Sequence, residues 1–335
     1  MIDHTHPIRR LPVIALIAIM VGIATPTLAQ DIQRSPCETV ESGDFKRYRE
    51  RQLATLAAEQ AAATRQGLPV RAVRDLDTDL GTEQQYAARN RDGVRCERIV
   101  YESDGLKIRG FLWTPAITAP GQTLPLIVFN RGGTGDDSKL RPNTQFGFER
   151  FVRAGYAVIG SQYRGNDGSE GVDELGGADV RDVLTLNALA RQLPFVDSNN
   201  VFALGYSRGA MMTLSALRDG ATFNAVALVG LPSDFRTPSF DRRFSPASPE
   251  MSAARAHRSA VLWADRLDVP MLLLQGSGDP LVSTAEQTYP FVAELQKLSK
   301  RYELVVYDGD SHGLILNGND RDGRILSWFE RHRRQ

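Results

Sequence analysis

The chain has 335 residues, 42% of them hydrophobic, enough to bury one large core or two small ones. Its 40 basic and 40 acidic residues cancel to a formal net charge of zero, which removes the electrostatic argument for a nucleic acid or an anionic membrane surface as partner. Two cysteines are too few for a cysteine-built zinc site.

Residues 1–29 read as a secretory signal. Arg9 and Arg10 supply the positive region, and residues 11–24 form a largely apolar run of about 14 residues, short for a bilayer span. Thr27-Leu28-Ala29 offers a small-residue cleavage site, and Gln30, not cysteine, follows it. An uncleaved anchoring helix is the competing reading. With the signal removed, the expectation is an exported chain, periplasmic or secreted, without stable membrane insertion. Export puts Cys37 and Cys96 in an oxidising compartment. There they can close one disulfide loop, worth about 4 kcal/mol in the chain-entropy model; two unrelated thiols are the alternative.

Residues 30–92 read as a helical extension. Phe45, Tyr48, Leu53, Leu56 and several alanines form an apolar stripe over 44–66, and Gly67-Leu68-Pro69 ends it. Residues 70–92 are charged and weakly patterned. From 93 to 335 the rhythm becomes strands separated by turns and helices. Segments 98–102 and 106–113 flank Ser103-Asp104-Gly105, a hairpin signal. Further strands are expected at 124–129, 156–160, 201–204, 225–229, 270–274 and 302–307, and helices near 146–154, 179–193, 210–217 and 324–333. This alternation predicts an α/β fold with a mostly parallel eight-stranded sheet covered by helices on both faces.

The most informative stretch is Gly205-Tyr206-Ser207-Arg208-Gly209, set between an apolar strand and a helix rich in good helix formers. This is G-x-S-x-G in the context that makes it a nucleophile elbow. The serine occupies the tip of a strained turn, so small residues must stand two positions either side. The helix that follows aims backbone amides at developing negative charge. The competing reading is an ordinary tight turn with a serine cap.

A serine nucleophile needs a base. Of the five histidines, His4 and His6 lie in the signal and His332 in the basic C-terminal tail. His257 falls on an exposed helix face. His312 remains, in Asp308-Gly309-Asp310-Ser311-His312-Gly313 directly after the last strand, where a loop can reach over the sheet edge. The imidazole needs a carboxylate to fix its tautomer. Asp279, after the strand at 270–274, is preferred to its rivals Asp308 and Asp310, because a separate loop can approach the far ring nitrogen. Beyond it, Ser283-Thr284-Ala285-Glu286 is a capping box that opens a helix. For the oxyanion, the expected donors are the amide of Arg208 and one from the loop Gly132-Gly133. A phosphate-binding reading of that loop fails because no Gly-Lys-Ser/Thr follows. No metal or cofactor is expected.

The set of motifs resembles the catalytic domain of prolyl oligopeptidase-type serine peptidases, within the α/β-hydrolase fold. The carrying segments are Tyr163-Arg164-Gly165-Asn166-Asp167-Gly168, Asp179-Val180-Arg181-Asp182-Val183, the elbow, Leu274-Gln275-Gly276-Ser277-Gly278-Asp279 and Ser311-His312-Gly313. The order Ser207, Asp279, His312 is that of α/β-hydrolases. The resemblance covers about residues 95–335 and implies Gly133 as an oxyanion donor. Two departures stand out: Arg131-Gly132-Gly133-Thr134 replaces the family's His-Gly-Gly-Pro, and Arg208 follows the nucleophile in place of Tyr or His. The extension is also too short for the family's β-propeller, which keeps esterase chemistry open beside peptidase chemistry.

The expected partner is therefore a small peptide or ester. A carboxylesterase on the same fold and a non-catalytic binding protein are the alternatives. An insert at 232–268, with Pro232, Pro238, Pro246 and Pro249, is expected to overhang the site. Arg131, Arg208, Arg236, Arg242 and Arg243 are read first as solvated charges and second as a basic entrance for acidic substrates.

Overall fold

Every residue of Leu124–Asn130 is buried, which is why this segment is an unbroken apolar run ending in one asparagine. It lies inside a sheet packed on both faces. The computed structural model of the protein describes residues 1, 31–38, 42–73, 93–135, 138–241 and 249–335. The strands are β1 (Gln33–Pro36), β2 (Val94–Ser103), β3 (Leu106–Pro115), β4 (Leu124–Asn130), β5 (Ala157–Ser161), β6 (Val196–Tyr206), β7 (Val226–Val229), β8 (Met271–Gly276) and β9 (Tyr302–Tyr307). They form one nine-stranded sheet in the order β1-β2-β3-β5-β4-β6-β7-β8-β9. The first three strands and the β3–β5 pair are antiparallel. From β5 to β9 every pairing is parallel.

The expected eight strands are all present. The ninth, β1, comes from the extension that reads as helical. Its four exposed residues carry no apolar alternation, so no periodicity marks it; pairing with β2 makes it a strand.

The helices are α1 (Ser42–Arg65), α2 (Gln145–Arg153), α3 (Val180–Ala190), α4 (Arg208–Arg218), α5 (Pro238–Asp241), α6 (Pro249–Arg258), α7 (Tyr289–Lys297) and α8 (Gly318–Arg331). Strand alternation sorts the core into two layers. Ile127 and Phe129 of β4 join Phe202 of β6 on one face, against Phe148 and Phe151 of α2 and Phe329 of α8. Leu126 and Val128 join Val201 on the other face, against Leu186 and Leu189 of α3. On that same face Ala210 and Leu214 of α4 pack on Val226 and Leu228. Burying one such side chain contributes about 1.5–3 kcal/mol. The two layers fix the register that brings the carboxyl ends of β4, β6, β7, β8 and β9 to one edge.

The extension docks on this edge. Leu56 of α1 packs on Ile315. Beyond α1 the chain crosses the β8 and β9 loops, with Gln66 Nε2 donating to the Pro280 carbonyl at 3.2 Å and Arg71 N to the Gly309 carbonyl at 3.0 Å. Gly278 is needed here, because a Cβ would lie 2.3 Å from the Pro69 carbonyl oxygen. The expected signal at 1–29 falls, but for residue 1, outside the described residues, as do residues 74–92. Among the described residues no helix is long and apolar enough to cross a membrane.

Cys37 and Cys96 are joined in a disulfide, with Cα atoms 5.4 Å apart and a sequence separation of 59. The bond closes the end of the β1–β2 pairing, where Cys37 N donates to the Cys96 carbonyl at 3.1 Å. Replacing both cysteines by serine is expected to lower the unfolding free energy by about 2–4 kcal/mol in denaturant melts of oxidised protein. An unchanged midpoint would show that the ladder holds β1 without the bond.

Candidate active site

Ser207 stands between the last residue of β6 and the first of α4, at φ 52° and ψ −121°. A residue with a Cβ adopts this conformation only where its surroundings enforce it, at a cost of order 1–3 kcal/mol. The flanking glycines are sterically obligatory. A Cβ on Gly205 would lie 2.6 Å from Ala210 Cα, and one on Gly209 would lie 1.8 Å from the Asn130 carbonyl oxygen. Strand, turn and helix thus pack backbone to backbone, and the serine is pushed out at the tip. Ser207 N donates to the Val229 carbonyl at 2.8 Å, which ties the elbow to β7.

The loop after β4 comes up against this tip. A Cβ on Gly132 would sit 3.3 Å from Ser207 Cβ. Gly133 follows at φ 66°. As the first residue of α4, Arg208 has no carbonyl one turn back in the helix for its N–H. Gly133 and Arg208, the expected oxyanion donors, line the same cavity as the serine.

His312 and Asp279 meet across the loops after β9 and β8. His312 Nδ1 lies 2.6 Å from Asp279 Oδ2. The carboxylate is buried and also accepts from Leu281 N at 2.8 Å, Val282 N at 2.9 Å and Gln275 Nε2 at 2.9 Å. Burial raises its pKa, but the His312 charge and hydrogen bond, with the two amides, outweigh that and hold it below the ordinary carboxylate value. The stability this adds is complete above the unfolded value near 3.9 and is lost as pH falls through the lower folded value. Gly230, at φ 58°, makes room for the imidazole: a Cβ there would lie 2.8 Å from His312 Cε1.

Of the rival acids, Asp310 serves another purpose. It is fully buried and accepts from Ser311 N at 2.8 Å, Leu316 N at 3.3 Å and Asn317 Nδ2 at 2.7 Å, so it shapes the turn that carries His312. Asp308 contacts Ser277 Oγ at 3.4 Å. The remaining described histidines are elsewhere: His257 Nε2 lies 2.7 Å from Arg218 Nη2, and the His332 ring lies tilted against Trp328. Of the expected capping box the N-cap bond forms, with Glu286 N donating to Ser283 Oγ.

Ser207 and His312 line one cavity of about 780 Å³. Its walls are largely apolar, with Phe129, Phe148, Tyr206, Phe235 and Phe240 among them. Pro232 and Phe235 come from the expected overhanging insert; Arg242, Arg243 and Pro246 lie outside the described residues. Among the described residues no group of three or more His, Cys, Asp or Glu side chains is arranged to hold a metal ion.

The arginines expected as solvated charges or a basic entrance are engaged instead. Arg131 is buried and donates to the carbonyls of Gln162, Gly132 and Gly135. Arg208 is buried, pairs with Asp173 and Asp179, and donates to the Gly133 carbonyl at 3.0 Å. Its guanidinium lies 4.9 Å over the Tyr163 ring. Arg236 is the exposed exception, and it pairs with Asp234.

The model of the prolyl oligopeptidase family matches residues 142–335, more than half of the chain. The chain belongs to the prolyl oligopeptidase family of serine peptidases. It is 28% identical over 250 residues to the uncharacterized peptidase YtmA of Bacillus subtilis strain 168, covering 72% of this chain and 95% of that one. The fold is similar to that of Pyrococcus horikoshii acylaminoacyl peptidase, at TM-score 0.63 and 20% identity, over 76% of this chain and 44% of the other. It is also similar to Porphyromonas gingivalis dipeptidyl peptidase 4, at TM-score 0.59 and 22% identity, over 72% of this chain and 35% of the other. The chain thus spans less than half the length of those two solved structures.

The family segments now have physical roles here. Arg164 of the tyrosine-arginine-glycine segment makes a buried pair with Asp182 at the start of α3, at 2.6 Å. Asp179, one turn earlier, accepts from Gly176 N and Gly177 N and from Arg208. Arg208 therefore couples that segment to the loop after β4, through the Gly133 carbonyl, a connection that sequence spacing alone does not reveal. Arg208→Met would leave Asp179 buried without its counterion, and breaking such a pair costs about 3–5 kcal/mol. The expected outcome is a lowered melting temperature together with reduced kcat; a variant that keeps both would dismiss the brace.

Asp279→Asn is expected to reduce kcat by about 10⁴-fold, as a wrong imidazole tautomer does. Its NH2 would donate to His312 Nδ1 in that tautomer but would face the Gln275 Nε2 donor, adding a stability loss of about 1–3 kcal/mol. Steady-state kinetics beside thermal melts checks this. A large stability loss with kcat retained would make Asp279 only a loop cap.

Proposed function

We propose that this chain is an exported serine peptidase that cleaves short peptides through an acyl-enzyme on Ser207. The observation that carries the proposal is the Asp279–His312 hydrogen bond, with His312 and Ser207 lining the same cavity. Membership of a serine peptidase family supports the peptide bond as the target. The reading of residues 1–29 supports export.

In the proposed reaction His312 Nε2 takes the Ser207 proton as Oγ bonds to the scissile carbonyl carbon. The negative charge that forms on the carbonyl oxygen is stabilised by the amides of Arg208 and Gly133. The C–N bond then breaks, and the leaving amine takes the proton from the imidazolium. Water enters, gives its proton to His312 and attacks the ester carbon. The carboxylic acid leaves, and Ser207 recovers its proton. Asp279 stays ionised throughout, holding Nδ1–H and stabilising the imidazolium. The apolar walls of the cavity receive the substrate's side chains and exclude water from the reacting bond.

An aminoacyl-arylamide panel beside short-chain aryl esters separates peptidase from esterase use of the same acyl-enzyme chemistry. Turnover of arylamides is expected, and Ser207→Ala is expected to lower kcat on the order of 10⁶-fold with the fold intact. Ester turnover alone would move the assignment to a carboxylesterase. Full activity in Ser207→Ala would remove the serine from the mechanism.

A further inference from the structure

We infer that Arg71 is a positioning residue for the catalytic base, acting on His312 through Asn317 and Asp310. The inference rests on the serine hydrolase reading of the site and names what holds its base in place. Residues 66–71 form a strap that leaves α1 and crosses the loops of the acid and the base in turn. The strap precedes residues 142–335, where the family match lies. It passes backbone against backbone: a Cβ on Gly278 would lie 2.3 Å from the Pro69 carbonyl oxygen, and one on Gly309 would lie 2.6 Å from Arg71 N. Gln66 Nε2 donates to the carbonyl of Pro280, the residue after Asp279, at 3.2 Å. Arg71 N donates to the Gly309 carbonyl at 3.0 Å. Gln60 Nε2 of α1 donates to the Arg71 carbonyl at 2.8 Å and so ties the strap to its helix. Upstream, α1 reaches the loop of the base as well: Leu56 packs on Ile315, and the Glu59 carboxyl faces Ser311 and the Gly313 amide.

The loop that carries His312 depends on such ties. Leu314, two residues after the base, is wholly buried at φ 51° and ψ 43°. A leucine keeps that left-handed conformation only where its surroundings enforce it. Asp310 supplies part of the enforcement, accepting from Ser311 N, Leu316 N and Asn317 Nδ2. It is fully buried, and these donors are neutral amides. Arg71 brings a positive charge to the far end of one of them. Its Nη1 donates to Asn317 Oδ1 at 3.3 Å, while Asn317 Nδ2 donates to Asp310 Oδ2 at 2.7 Å. A carboxylate only accepts and a guanidinium only donates, so the amide between them fits one way round. The cation polarises that amide toward Asp310 and strengthens its bond.

Arg71, Asn317 and Asp310 lie outside the lining of the cavity shared by Ser207 and His312. Arg71 therefore acts on the rate of the chemical step and not on the binding of substrate. A base displaced by a fraction of an ångström loses its alignment with both Asp279 and the serine hydroxyl.

The test begins with Arg71→Met, which removes the guanidinium and keeps the backbone N–H. Per Ser207 titrated with a fluorophosphonate, kcat is expected to fall about tenfold, with KM changed by less than about twofold and the melting temperature little altered. Arg71→Lys, which keeps a cation, is expected to recover part of the loss. Asn317→Ala is expected to lower kcat at least as far, and the double variant no further than Asn317→Ala alone, because the two residues act in series. The downfield proton resonance of the His312–Asp279 hydrogen bond, assigned by its loss in Asp279→Asn, is expected to move upfield and broaden in Arg71→Met and to return toward its place in Arg71→Lys. An unchanged kcat in Arg71→Met would overturn the inference, as would a double variant that multiplies the two losses. A lowered melting temperature with kcat per site and the resonance both retained would make the strap a purely structural tie. Should Asn317→Ala fail to fold, the two Arg71 variants and the resonance carry the test. Absence of probe labelling in the unmodified protein would instead sink the serine hydrolase reading. The resonance needs no turnover, so its response in Arg71→Met would then still decide the role of Arg71.

Discussion

Ser207 is held at φ 52°, ψ −121° by backbone packed on backbone, and much of the site follows from that turn. Gly205 and Gly209 allow β6, α4 and the end of β4 to approach closer than any side chain permits. The same approach sets Gly132 against the serine and gives the first amide of α4 no helical acceptor. The strain is balanced by burial: Ala210, Met211, Met212 and Leu214 on α4 are wholly inside. A looser helix would relax the serine into an ordinary turn and lose the nucleophile's exposure.

Around this turn the protein uses buried charge as scaffolding. Arg208 pairs with Asp179 and holds the Gly133 carbonyl of the loop after β4, Arg164 in the segment after β5 pairs with Asp182, and Asp310 gathers the donors of the loop bearing His312. Such groups add little net stability compared with a well-packed apolar core. Their value is geometric, because each satisfied donor fixes one loop in one position. Gly313 shows the consequence: its carbonyl accepts from Tyr206 at the elbow and from Arg321 of α8, so the loops of β6 and β9 cannot move independently.

Much of this architecture was legible in the sequence, for definite reasons. Parallel strands buried on both faces leave unbroken apolar runs, and the elbow's glycines are dictated by local sterics. Asp279 could be preferred to Asp310 because a loop from another strand reaches the far side of the imidazole. What stayed hidden depends on tertiary contact. β1 has no apolar alternation and is a strand only because β2 lies beside it. Arg131 and Arg208 read as surface charge, since nothing local announces that Asp173, Asp179 and three carbonyls will surround them. Glu59 sits in a helix of alanine, glutamate and glutamine, where a carboxylate ordinarily faces water; only the docking of Leu56 on Ile315 turns it inward. Asp310 stood in view beside His312, but as a rival acid and not as the anchor of the turn.

The central claim is that one activated serine, at the tip of this turn, does the chemistry. The most direct measurement is the mass of the protein after reaction with a fluorophosphonate, followed by peptide mapping of the adduct. A single adduct on Ser207, lost when the imidazole of His312 is removed by His312→Ala, is the predicted result. An adduct on another residue, or hydrolysis that persists with Ser207 unlabelled under excess probe, would contradict the account.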